Sequence, residues 1–451
     1  MQHHPKGEAD PYLTARYRHQ READYANFSR GRMLNNVITE SLDDFVHLPH
    51  DAEQRLRKRL QLSSSTRARI AFLAGPGDAA GTFCYWQNGK TDPRTPVVAY
   101  STMFYTLIKK LDAEAMLICE RPTLPANSAR FKFAAVPRYR PAGRFSYRWA
   151  QYIYAERVVR LLKVYQPHIL LTGIDTPLFL MNSAPANCQI ILTAHNGLHT
   201  MARADKGLPA QLRRWANYRR LKRVTGAVCT SREVERQILR VLPTLSGRTF
   251  VEVPQVEKHL IKPRHASSTI ETIVYLGRFE EDKGLSDLLR AFEIVASSQP
   301  KPQLFFAGSG AFEEQLKQMV AASPFSRRIH ILGLLDADSV HNLLNQADLL
   351  VCPTRNAFPE GLALVVVEAA AHGVASIASS AVPASELVGE GCLVYPADNV
   401  DALAASMAHL ISNPKAVAEM QESLVRNRDI YLNRSLSWGT QLGRLLTIEM
   451  G

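Results

Sequence analysis

Short apolar runs that stop at glycine or proline and lead into helical stretches recur along this chain of 451 residues. RIAFLAG (69–75), HILLTG (168–173), QIILTAHN (189–196) and GAVCTS (226–231) belong to a first series, with further candidate strands near 97–100 and 115–119 and a helix between them. TIVYLG (272–277), QLFFAGSG (303–310), IHILG (329–333), ADLLVCPT (347–354), ASIAS (375–379) and CLVYP (392–396) form a second series. Runs of this length without polar alternation are expected of strands buried on both faces, and hence of parallel sheets with crossover helices. Residues 251–268 (VEVPQVEKHLIKPRHASS) break the pattern and read as a linker. The expected fold class is therefore α/β, with two domains, 66–250 and 269–430, facing across a cleft. An N-terminal extension (1–65) precedes them. A C-terminal helix (431–451) follows, and a return to the first domain is one course open to it.

The six cysteines stand singly and make no CxxC, so disulfides and a zinc cluster are not expected and a reducing cytosol is. The longest apolar stretch, near 362–381, is broken by Glu368, His372 and Gly373, so no membrane-spanning helix is expected. The first residues lack the apolar core of a signal peptide. Charge is unevenly divided. Residues 1–265 carry 41 Lys and Arg against 21 Asp and Glu, a net +20, whereas residues 266–451 carry 13 against 21, a net −8. A basic half is expected to meet an anionic partner or surface. Within it, RFKFAAVPRYRPAGRFSYRWAQYIY (130–154) mixes arginine with aromatics. An acceptor groove, a membrane-facing surface and a solvated loop are the readings open to it; nucleic-acid binding is not expected, because no known module of that kind surrounds it. LRRWANYRRLKR (212–223) reads as a basic helix, lying either on an anionic bilayer or over the core in water.

The stretch richest in chemistry is FPEGLALVVVEAAAHG (358–373), a turn running into an apolar helix that should stop at Gly373. A helix start exposes unpaired N–H groups and favours anions, phosphates above all. Glu360 stands at its mouth and Glu368 eight residues on, roughly 12 Å away if the rise is fully helical. That spacing suits a ligand with a diphosphate in its middle and a hydroxyl-bearing ring at each end. Three more features lie on loops after strands: Arg278 and Lys283 in RFEEDKG, Gly81 in GDAAGTF, and His195 just past a strand's carboxyl end, where open parallel sheets bind ligands. The Asp336-Ala337-Asp338 triplet sits where a helix begins, so capping is its expected role and no metal site is expected.

From YLGRFEEDKG through FFAGSG, ADLLVCPT, FPEGLALVVVEAAAHGVASIAS and CLVYPAD, in that order, the chain resembles a retaining glycosyltransferase of family 4. The resemblance covers most of 266–401; the first half is similar only through AAGTF and the histidine of TAHN. It implies the GT-B fold, two Rossmann-like α/β domains facing across a cleft. It also implies transfer of a sugar from a nucleoside-diphosphate sugar to an acceptor hydroxyl, with no cofactor and no metal. Arg278 and Lys283 would grip the donor diphosphate, with Gly361 and the N–H groups of Leu362, Ala363 and Leu364 completing that site. Glu368 would accept from the ribose hydroxyls. Glu360 would lie against the transferred sugar, with His195 touching it from the opposite wall, and Gly81 would let the first domain approach closely. The implied acceptor is a glycan or a lipid-linked glycan, at an anionic membrane surface on the cytoplasmic side.

The sequence departs from the family pattern at Ala363 and Ala80, where members often have glycine, which leaves the donor sugar open. Two other readings share these residues. A nucleotide-sugar 2-epimerase on the same fold would need no acceptor, and a non-catalytic nucleotide-sugar or nucleic-acid binding protein would turn nothing over.

Overall fold

A computed structural model of the protein describes residues 40–448 apart from 122, 202–206 and 263–268. Most of the expected N-terminal extension, the end of the linker and the last three residues lie outside the described residues. Among the described residues the strands make two sheets in which every neighbouring pair is parallel. The first lobe holds β1 (Arg69–Leu73), β2 (Glu114–Cys119), β3 (Phe131–Ala135), β4 (Ile169–Thr172), β5 (Gln189–Ala194), β6 (Val224–Cys229) and β7 (Thr249–Val251), in the order β3-β2-β1-β4-β5-β6-β7. The second lobe holds β8 (Thr272–Leu276), β9 (Gln303–Ala307), β10 (Ile329–Gly333), β11 (Leu349–Cys352), β12 (Ala375–Ser379) and β13 (Cys392–Tyr395), in the order β10-β9-β8-β11-β12-β13. Both orders reverse beside their first strand, between β1 and β4 and between β8 and β11. At such a reversal the crossovers leave to opposite faces and a crevice opens at the strands' carboxyl ends.

The apolar runs are explained by burial on both faces. Along β1, Ile70 and Phe72 enter one core layer while Ala71 and Leu73 enter the other. Along β8, Ile273 and Tyr275 divide from Val274 and Leu276 in the same way. Three local expectations need correction. Residues 97–100 are not a strand, because Tyr100 opens the helix Tyr100–Lys110. Strands β3 and β7 fall where none was foreseen, one inside the arginine-aromatic stretch and one just before the linker.

The chain crosses between the lobes twice. Past β7 it runs to β8, and after the helix Pro414–Arg426 it returns, so that the helix Trp438–Thr447 buries Trp438, Leu442 and Leu446 in the first lobe's core. Phe45, Val46 and Leu56, ahead of β1, join the same core. The two crossings lie side by side, with the Val253 N–H donating to the Leu436 carbonyl (2.9 Å) and the Val256 N–H to the Tyr431 carbonyl (3.2 Å).

Candidate active site

The carboxyl ends of both sheets face one cavity of about 530 Å³. Its second-lobe wall is built from two loops. The loop after β8 turns at Gly277 (φ 148°), and the Tyr275 hydroxyl donates to the Arg278 carbonyl at 2.7 Å, fixing the backbone that carries that guanidinium. It then passes through Lys283 to Gly284 (φ 72°), where a Cβ would overlap the Pro353 carbonyl, so only glycine lets this loop close on the end of β11. The loop after β11 is tied to the same element, since the Arg355 guanidinium holds the Asp287 carboxylate through two bonds of 2.7 Å. The two loops meet at Glu360, whose carboxylate lies 2.6 Å from the Lys283 ammonium, with both side chains largely buried. Lys283 and Arg278 also stand over one ring, that of Phe358, at 3.7 and 5.7 Å from its centre.

Next comes the helix Leu364–Ala371, which stops as expected with Gly373 in the left-handed conformation (φ 71°). Its N-cap, Ala363, has φ 71° and ψ 79°, a left-handed conformation that costs a residue with a Cβ roughly 1–2 kcal/mol. A glycine at this position would avoid the cost. Glu368, on the helix's second turn, faces the cavity, and burial pushes its carboxyl up to about 7.

The first-lobe wall is of another kind. His195 follows β5, and its ring lies against Tyr100, with centres 4.4 Å apart. Its Nδ1 is buried without a partner, and burial pushes its pKa down to about 4, so the ring is neutral at pH 7. The Tyr100 hydroxyl donates to Glu252 at 2.8 Å. Burial pushes the Glu252 carboxyl up to about 8. The lobes touch at Gly361, where a Cβ would overlap the His195 carbonyl, and the Gly197 N–H donates to the Pro359 carbonyl at 3.4 Å. Farther out, Arg236 and Glu386 join the lobes through two bonds of 3.1 and 2.7 Å.

Of the residues singled out in the sequence, His195, Arg278, Lys283, Glu360, Leu362, Ala363, Leu364 and Glu368 line this one cavity, and Gly361 forms the seam beside it. Gly81 does not line it. Its N–H donates to the Asp78 carboxylate at 3.0 Å, and a Cβ there would overlap that carboxylate, which Arg94 also holds. The glycine there has a local reason: room for a capping side chain. Asp336 caps its helix as expected, accepting from the Ser339 N–H at 2.9 Å. Tyr100, Glu252 and Phe358 were not foreseen. The signal for Glu252 was available, a lone acid among apolar residues in FVEVPQV. Chemically, the cavity offers two cations and a helix start to an anion, and two carboxylates to hydroxyl groups.

Residues 257–428 match the family described as glycosyl transferases group 1. The chain is 31% identical over 159 residues to the GDP-mannose-dependent monoacylated alpha-(1-6)-phosphatidylinositol monomannoside mannosyltransferase of Corynebacterium glutamicum, a match spanning 34% of this chain and only 41% of that protein. Its fold is similar to that of sucrose-phosphate synthase from Thermosynechococcus elongatus, at a TM-score of 0.60 and 18% identity over 84% of this chain and 98% of the other. Alr3699/HepE of Anabaena, solved in complex with UDP-glucose, is similar in fold at 0.55 and 15% identity, over 84% and 98% of the two chains. The stretch that matches glycosyl transferases group 1 is thus the second lobe, with the cavity wall it builds, and the chain as a whole has the two-lobed GT-B fold.

Proposed function

We propose that the protein is a retaining family 4 glycosyltransferase that moves a sugar from a nucleoside-diphosphate sugar to an acceptor hydroxyl, in polysaccharide, glycolipid or cell-envelope glycan synthesis at the cytoplasmic face of a membrane. One observation carries the reading: Arg278, Lys283 and the start of the helix Leu364–Ala371 converge, together with Glu360 and Glu368, on one cavity between the lobes. In the transition state the sugar takes on oxocarbenium character and negative charge gathers on the departing diphosphate. Fixed cations and helix N–H groups stabilise that charge without reorganising, the work a metal ion would otherwise do. Glu360 orients the sugar's hydroxyls and stays beside Lys283, while Glu368 holds the ribose. His195, neutral and backed by Tyr100, closes the site from the first lobe and helps exclude water. Acceptor attack on the face from which the diphosphate leaves would retain the anomeric configuration.

The test is a screen of UDP- and GDP-sugars, since relatives of both kinds occur, with released nucleoside diphosphate as the readout and lipid extracts as acceptors. Release that depends on one donor and rises with acceptor is expected. A donor isomerised without any acceptor would establish the epimerase reading in its place, and no release with any donor would defeat the transfer reading.

A further inference from the structure

The first lobe presents a face that an ordinary soluble domain would not. In the helix Arg144–Tyr165, Tyr154, Ala155, Val158, Val159, Leu162 and Tyr165 pack inward. The large apolar side chains of the two turns before them mostly do not. Phe145 is 88% exposed and Trp149 64%, with Tyr147 and Tyr152 also outside. In the helix Leu208–Leu221, only Ala210 and Leu221 are buried, and Leu208, Leu212, Trp215 and Tyr218 form an outward stripe. The amphipathic pattern is inverted here, with the large apolar residues on the water side. The short helix Leu178–Ser183 touches both of these helices and adds exposed Leu178 and Phe179, the latter 4.9 Å from Tyr152 between ring centres.

Charge completes the picture. Residues 121–155 and 207–232 each contain seven Lys and Arg and no Asp or Glu, and the acids nearest the band are Glu156, which pairs with Arg160, and Asp175, which pairs with Arg138. Arg148, Arg214, Arg219 and Lys222 are exposed, and Arg219 lies 5.0 Å over the Trp215 ring. Exposed aromatics and leucines among basic side chains suit the interface of an anionic bilayer. RNA would also take arginine and aromatic rings, but it has no use for exposed Leu178, Leu208 and Leu212. Among the described residues no helix is long and apolar enough to cross a membrane, so the contact is one of lying on the surface.

The band also has a position relative to the cavity. β4 and β5 are parallel neighbours, so the loop from Gly173 to the helix Leu178–Ser183 leaves the sheet at the same edge as His195. Asp175 in that loop acts electrostatically on both His195 and Arg220. We infer that this band of three helices seats the first lobe on an anionic bilayer, with the mouth of the cleft beside the headgroups. The inference rests on the reading of the cleft as a transfer site, and it supplies that reading with a partner surface.

The test is co-sedimentation of the full chain with vesicles of phosphatidylcholine alone and of phosphatidylcholine mixed with phosphatidylglycerol. Binding to the mixed vesicles is expected. It should weaken at least about tenfold in Arg214→Glu/Arg219→Glu and similarly in Trp149→Ser/Trp215→Ser, with nucleoside diphosphate release from a soluble acceptor unchanged. Arg220 is a poor choice for reversal, because it is mostly buried and lies near Asp175. No binding to mixed vesicles, equal binding by the variants, or preferential salt-sensitive binding to poly(U) would each overturn the inference. Failure of vesicle binding with donor turnover intact removes the surface and leaves the transferase. Vesicle binding without turnover of any donor does the reverse.

Discussion

The two walls of the cavity differ in a way that the net charges of their lobes would not suggest. The half with a net charge of +20 contributes Tyr100, His195, Pro96 and Thr230, a wall without a cation. The half with a net charge of −8 contributes Arg278 and Lys283. The lesson is that net charge describes a lobe's outer face and the partners it attracts over a distance, while chemistry is set by the few charges that loops aim inward. The second lobe brings the cations to the cavity. The first brings a neutral wall, and among the described residues no lysine or arginine of its own lines the space.

The strongest attempt to break this division is Lys283→Ala. It removes a cation from the proposed diphosphate site and leaves the buried Glu360 without that cation, so kcat/KM for donor turnover should fall roughly a hundredfold or more. A loss of less than about threefold would mean that the second-lobe wall is not where the charge is handled.

The two carboxylates then sharpen the picture within that wall. Glu360→Ala should lower kcat with donor affinity little changed, and Glu368→Ala should weaken donor binding about tenfold; matching effects in both would show that they do not divide the work. The second also has a pH signature. Glu368 accepts hydroxyl hydrogens best as a carboxylate, and burial pushes its pKa up to about 7. Donor affinity should therefore rise by about tenfold from pH 6 to pH 8, and Glu368→Gln should flatten that rise in a titration.

The smallest expected effect lies behind the first-lobe wall. Glu252 has its pKa raised by burial from the ordinary 4.5 to about 8. Between those values the folded state holds a proton that the unfolded chain has released, so stability falls as pH rises through the window and is fully present below it. Glu252→Gln should lose that decline, seen as a Tm that drops less between about pH 5 and pH 8 by a few degrees. An unchanged slope would mean that the first-lobe wall carries no buried acid of consequence.

How much of this was legible depends on how local each signal was. The bounds of β10 and β12 follow directly from runs closed by glycine or small polar residues. β3 was hidden because it is an edge strand exposing Lys132 between Phe131 and Phe133, amid arginines that suggested a surface stretch. Arg278, Lys283 and Glu360 drew notice because they sit on loops marked by glycine, and Glu368 because it stands alone in an apolar helix; all four line one cavity. The ion pair between Lys283 and Glu360 could not be found this way, since it joins loops from two strands. Nor could Tyr100, which enters the site through an acid 152 positions away. At Gly81 a local reason that the sequence did not suggest is visible, since its N–H donates to the capping Asp78 carboxylate.

The paired crossings between the lobes, 251–256 and 431–436, carry a kinetic consequence. A single flexible strap would let the halves tumble freely and lose the donor to water with each excursion. Two ribbons bonded edge to edge, with Arg434 donating to Gln255 at 3.1 Å between them, resist twisting and shear and leave bending as the soft mode. If the cleft is the transfer site proposed above, opening and closing would follow one coordinate, and substitutions that loosen the ribbons should raise futile hydrolysis of the sugar nucleotide before they lower transfer.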